Sequence, residues 1–229
     1  VVIMLSLARL PNYCQCNVMC CFYLKVMIHI EKIKVVDKTY PSNVLKKGFE
    51  INCSSVNLLV GNQGCGKSTL LKLLQQKHKD IELKLSDNVL KNGVSSFYFD
   101  SEKDNPRVKD PQLFTKPNGE DIGIGYRGAL LSLFRSHGEV LQEFIIDPIL
   151  KAKDCVVLLD EPESGLSITN QFKLISAINK AVEMNCQFFI ATHCYPLIER
   201  FEVVSLEHRK QMKGVDFIKK VSKLGPVIK

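Results

Sequence analysis

From residue 27 onward the apolar positions fall into short runs whose period switches between two and 3.6. Ile28, Ile30, Ile33, Val35 and Val36 predict an edge strand, and residues 49–53 predict a second. Residues 57–60 form an apolar strand that runs into a glycine-rich turn. Beyond the turn, Leu70, Leu71, Leu73 and Leu74 recur at helical spacing within 68–76, and residues 96–99 predict another strand. Residues 101–125, rich in Asp, Lys, Pro and Gly, read as loop. Helices are expected over 128–134 and 138–150, the second with Val140, Leu141, Phe144 and Ile145 on one face. Residues 155–159 are apolar throughout, as a strand covered on both faces must be. An amphipathic helix over 168–182 and strands over 187–191 and 201–206 complete the pattern. This alternation predicts an α/β domain, a largely parallel sheet flanked by helices.

The turn after residues 57–60 carries the first chemistry. Gly61, Asn62, Gln63, Gly64, Cys65, Gly66, Lys67 and Ser68 fit G-x4-G-K-[ST] without a gap, and Thr69 follows. Glycines let the backbone turn its N–H groups onto phosphate oxygens, and the helix N-terminus adds partial positive charge. Lys67 is expected to reach the β- and γ-phosphates of a nucleotide, and Ser68 to offer its hydroxyl to Mg²⁺, a signal that nucleotide kinases and GTPases share with ATPases. Cys65, beside Lys67 and that N-terminus, is expected to have a lowered pKa; the rival reading turns its side chain into the protein, where it is inert. The strand at 155–159 ends in Asp160 and Glu161. A pair of acids there also suits a helix cap. Together with the phosphate loop they predict a metal ligand, Asp160, and a catalytic residue, Glu161, that orients or deprotonates water.

Asp160-Glu161-Pro162-Glu163-Ser164-Gly165-Leu166-Ser167 resembles the Walker B and D-loop of ATP-binding-cassette (ABC) ATPases. Phe189-Ile190-Ala191-Thr192-His193 ends a strand on a histidine, and the resemblance gives His193 the family's catalytic switch role at the γ-phosphate. Ser136-His137-Gly138-Glu139 opens a helix where the family's signature stands. It is also a capping box, and the two readings are compatible. Its S-x-G-E form resembles soluble ABC-type ATPases of the AAA or predicted-ATPase group and the heads of structural-maintenance-of-chromosomes proteins. Two places depart from the pattern. No glutamine ends the strand at 97–99, where Ser101, Glu102 and Lys103 follow, and Glu102 reads as a solvated acid. Tyr40, beside Pro41, reads as a loop residue more than as an adenine-stacking one.

The resemblance implies a P-loop NTPase fold with a short signature subdomain and no coiled-coil arm. It also implies a head-to-tail homodimer, in which Ser136, Gly138 and Glu139 of one copy meet the ATP held at Lys67 of the other. The preferred reading is a soluble, nucleotide-gated ATPase switch with a nucleic-acid or effector partner in repair or defence. The alternative is the ATP-binding subunit of an ABC transporter, which makes a membrane partner the less favoured expectation. Arg107, Arg127 and Arg135 are too dispersed for the mobile lid of a small-molecule kinase.

Composition changes this picture little. The 229 residues fit one domain, expected over 27–229, and a net charge of +7 favours acidic partners only slightly. Seven basic residues against one acid, Asp216, mark residues 209–229 as a basic tail, read as a solvated end. Five of the nine cysteines (Cys53, Cys65, Cys155, Cys186, Cys194) are scattered singly, as in a reducing, cytoplasmic protein. Cys14, Cys16, Cys20 and Cys21 lack zinc-site spacing. Residues 1–26 are apolar but broken by Arg9, Asn12, Gln15 and Asn17, short of the ~20 apolar residues a membrane span needs. They also lack the features of a signal peptide and read as an extra N-terminal segment.

Overall fold

In the computed structural model, residues 29–36, 45–92, 94–101 and 145–223 are described. The N-terminal segment with its four cysteines, Tyr40, Glu102, the three dispersed arginines, the predicted helix at 128–134, most of that at 138–150, and Ser136, Gly138 and Glu139 lie outside them.

Strand β1 (Ile30–Val35) pairs antiparallel with β2 (Glu50–Asn52) and β4 (Ile81–Leu85), giving a three-stranded sheet in the order β2-β1-β4. The larger sheet has six strands in the order β5-β6-β7-β3-β8-β9. They are β3 (Val56–Val60), β5 (Ser95–Asp100), β6 (Cys155–Asp160), β7 (Gln187–Ala191), β8 (Glu202–Ser205) and β9 (Lys210–Lys213). All pairs within it are parallel except β8 with β9. The largely parallel sheet expected from the alternation is present.

Every residue of β3, β6 and β7 is buried. Their side chains alternate between two cores, as the pleat requires. On one face Leu58, Val157, Leu159, Phe188 and Ile190 pack with Ile149, Leu174, Ile178, Leu197 and Phe217. Those partners come from helices α3 (Asp147–Lys151), α4 (Ile168–Glu183), α5 (Tyr195–Arg200) and α6 (Gly214–Ser222). On the other face Leu59, Val156, Leu158 and Phe189 pack with Leu70, Leu71 and Leu74 of α1 (Lys67–Gln76) and with Ile33, Ile51 and Ile81 of the small sheet. Buried Gln187 joins the sheets: its Oε1 accepts from Ile30 N at 2.8 Å, and its Nε2 donates to Ile30 O and Ser54 O at 2.9 Å each.

Several elements escaped the periodicity. β4 is a short IELKL run between Asp80 and Ser86, and α2 (Asp87–Asn92) and α5 have six residues each, too few to display a helical repeat. β9 is polar and is held by its backbone to β8 and by Gln211 Nε2 donating to Asn52 O at 2.6 Å. The described part of the basic tail is therefore not a loose end but a strand and a helix, anchored through buried Phe217. Cys155 and Cys186, expected as isolated thiols, lie 3.6 Å apart between sulfurs because β6 and β7 run side by side. Among the described residues no helix is long and apolar enough to cross a membrane.

Gly214 shows how tightly α6 is seated. A Cβ on it would stand 1.5 Å from Ile198 O and 2.8 Å from Phe201 O. Backbone cannot yield as a side chain does, so we expect Gly214→Ala to destabilise the fold by about 3 kcal/mol or more. Urea unfolding should show this as a lower midpoint with an unchanged slope.

Candidate functional site

The described residues of the predicted site converge at the carboxyl ends of β3, β5, β6 and β7, where open α/β sheets present their ligand crevice. The β3 strand stops at Val60, and residues 61–66 turn back before α1 begins at Lys67. Gly66, the N-cap, holds φ +95°, a conformation costly for any residue with a Cβ, and makes no side-chain cap. The first-turn N–H groups of α1 thus have no intrahelical acceptor, the arrangement that suits an anion. Asn62, Gln63 and Gly64 are exposed along the loop, while Ser68 and Thr69 are half-buried in the first turn. Lys67 is buried, and its Nζ donates to Gly61 O at 3.2 Å and Asn62 O at 3.4 Å. The ammonium therefore lies over the loop. Asn62 Nδ2 also donates to Glu207 Oε1 at 2.9 Å, tying the loop to the turn after β8.

Cys65 departs from expectation. Burial pushes its thiol above the ordinary value, outweighing the nearby Lys67 charge and backbone donors, which act downwards. The side chain turns back under the loop: a Cβ on Gly61 would meet Cys65 Sγ at 2.7 Å. Residue order placed the thiol beside a cation and a helix N-terminus. Its rotamer takes it to the loop's inner side, so it is not an activated thiolate.

Ser68 Oγ donates to Asp160 Oδ1 at 3.0 Å, reaching from α1 to the end of β6. Asp160 is 6% exposed. Burial raises its pKa, the Ser68 hydrogen bond opposes this, neighbouring Asp100 raises it further, and Lys72 lowers it. Asp100 is a residue the sequence reading passed over. The strand continues past Phe99 to Asp100, which stands directly opposite Asp160 in the parallel register and is 5% exposed. Its one visible signal was a terminal acid on an otherwise uncharged strand. Nothing but register made it a neighbour of Asp160.

Glu161 has φ +49°, a left-handed conformation that costs on the order of 1–3 kcal/mol in a non-glycine residue. The turn is held by Glu161 N donating to Ala191 O at 2.9 Å. It brings Glu161 Oε1 to 3.9 Å from His193 Nε2, and both side chains are close to half exposed, at 44% and 47%. A carboxylate and an imidazole thus face a solvent-open crevice beside the buried acids. One hydroxyl, buried carboxylates and unsatisfied N–H groups form a donor set suited to a triphosphate with a hard divalent cation.

No family model matches the chain. The molybdate import ATP-binding protein MolC of Haemophilus influenzae is 30% identical over 162 residues, covering 63% of this chain and 64% of that protein. The phosphate import ATP-binding protein PstB 2 of Listeria monocytogenes is 28% identical over 158 residues, covering 66% and 54% respectively. The chain thus spans less than two thirds of the length of these curated relatives. Among solved structures, a bacterial Atm1-family ABC exporter with ATP bound matches with a TM-score of 0.52 at 16% identity, covering 85% of this chain and 41% of that one. The dimeric post-hydrolysis state of an ATP-binding cassette, bound to ADP and Pi, matches with a TM-score of 0.50 at 16% identity, covering 80% of this chain and 97% of that one. The chain has the P-loop fold of ABC-type nucleotide-binding domains.

Proposed function

We propose that this domain binds ATP with Mg²⁺ and hydrolyses it, working as one half of a nucleotide-gated dimer of ABC-type domains. One observation carries the reading: the 3.0 Å hydrogen bond from Ser68 Oγ to Asp160 Oδ1 joins the phosphate loop to the acid strand at one point. Loop N–H groups and the Lys67 ammonium hold the phosphate oxygens. Ser68 and Asp160, with Asp100 alongside, would hold the cation. Bound Mg²⁺ would offset charge on the β- and γ-phosphate oxygens. Glu161 accepts a proton from the attacking water, and His193 donates a hydrogen bond to the γ-phosphate. Ser136, Gly138 and Glu139 of the second copy complete the shared site.

The names of the relatives support a transport partner in the membrane over the soluble repair or defence role preferred from the S-x-G-E signature. Both matched proteins named above are import ATP-binding proteins. Purification from the native host tests this directly. Co-purification with an integral membrane protein supports the transport reading, and recovery with nucleic acid or a soluble effector overturns it.

The acid cluster supplies a test of the metal. Because burial raises the Asp160 pKa, the folded state binds a proton more readily than the unfolded one. The charged carboxylate therefore weakens the nucleotide-free fold once pH exceeds the unfolded-state value of about 3.9, and that loss is complete above the raised folded pKa. At pH 7 we expect Asp160→Asn to raise the urea midpoint without nucleotide while removing Mg²⁺-dependent turnover. Chelation of Mg²⁺ should give the same loss in the unmodified protein. Full hydrolysis under chelation would sink the proposed role.

A further inference from the structure

We propose that Glu163 is a positioning residue that aims the His193 loop at the nucleotide, a role that rests on the ATPase reading above. Ladder pairing of β7 with β3 ends with Thr192 N donating to Leu59 O at 3.2 Å. The next amide, His193 N, donates instead to Glu163 Oε1 at 2.7 Å. Thr192 Oγ1 donates to the same oxygen at 2.7 Å and in turn accepts from Cys194 N at 2.9 Å. One carboxylate oxygen from the turn after β6 therefore fixes three consecutive residues after β7. Both contacts fall within the range of hydrogen bonds to a carboxylate.

The turn that carries Glu163 is itself rigid. Ser164 N donates to Glu161 O at 3.0 Å, and Leu166 N to Glu163 O at 2.9 Å. Its far end is pinned by buried Leu166, whose carbonyl accepts from Gln171 Nε2 at 3.3 Å. Glu161 and His193, 3.9 Å apart, thus sit on two loops tied together by the Glu163 carboxylate and by Glu161 N donating to Ala191 O.

Stability alone does not call for a carboxylate here. Glu163 Oε2 is buried without a hydrogen-bond partner among the described residues, and burial raises the pKa of the group. A buried, half-satisfied acid weakens a fold relative to a neutral acceptor of the same shape. What it supplies is one strong acceptor for two donors on the loop that bears His193.

Glu163→Ala and Glu163→Gln test this, since the glutamine oxygen can accept both donors and alanine none. MgATP affinity, kcat and amide exchange at residues 192–194 are measured for both and for the unmodified protein. With Glu163→Ala, affinity should stay within about threefold, because the phosphate loop is untouched. Its kcat should fall at least about tenfold through misplacement of His193, and the three amides should exchange faster. Glu163→Gln should recover both kcat and slow exchange. Wild-type turnover or unchanged exchange in Glu163→Ala overturns the proposal, as does an equal loss of affinity and turnover, or a Glu163→Gln that behaves like the alanine variant. If the unmodified protein shows no turnover, the ATPase reading fails and takes this proposal with it. Turnover in the unmodified protein that Glu163→Ala keeps in full overturns this proposal alone.

Discussion

Lys67→Ala should leave a folded domain that no longer binds ATP measurably in a nucleotide titration. Among the loop residues 61–69, Lys67 carries the only charged side chain, and its ammonium already lies over the loop through Gly61 O and Asn62 O. The phosphates of ATP bring several negative charges to that point. Backbone N–H groups offset part of that charge, and the ammonium supplies the one full positive charge fixed within the loop. Far-UV circular dichroism separates the expected result from unfolding, because α1 is anchored by Leu70, Leu71, Leu73 and Leu74 and not by the lysine. Unchanged affinity in a folded variant would falsify the assignment of the phosphate loop.

Glu161→Gln should bind ATP normally and turn it over ~10²-fold or more slowly. Glutamine keeps the shape and can adopt the same left-handed backbone, held by the hydrogen bond from its N–H to Ala191 O, but it cannot take the proton of the attacking water. With hydrolysis blocked, the variant should accumulate as an ATP-bound dimer, because in the proposed pairing nucleotide would close the shared site and hydrolysis would reopen it. Light scattering with ATP and Mg²⁺ reads this directly. A monomer under those conditions rules out pairing between copies of this chain, and turnover near the unmodified rate removes Glu161 from the chemistry.

Both predictions could be framed from the sequence because their residues are defined locally. The phosphate loop is a contiguous run of residues between an apolar strand and a leucine-rich helix, so spacing alone carries its geometry. The same holds for Asp160 and Glu161 at the end of an all-apolar strand. β3, β6 and β7 were legible because a strand buried on both faces has no polar position to hide its pattern. His193 was legible from the resemblance, through its place directly after such a strand.

Other features depended on which strands became neighbours. Asp100 stands opposite Asp160 only because β5 and β6 pair in parallel, a register that no local pattern announces. Cys65 lay next to a cation in the chain, yet its rotamer under Gly61 left the thiol half-buried and reversed the expected shift. Glu163 read as one more acid in a motif until the fold set it against the amide of His193, 30 positions away. The basic residues after Arg209 looked like a solvated end because their charge is visible in sequence, whereas the seat of Phe217 and Gly214 against α5 is not. Sequence by itself determined the strongly periodic elements and the groups whose chemistry is set by adjacent residues. Tertiary structure decided which of those groups share a site, because hydrogen bonds, desolvation and charge coupling act over a few ångströms of space regardless of distance along the chain.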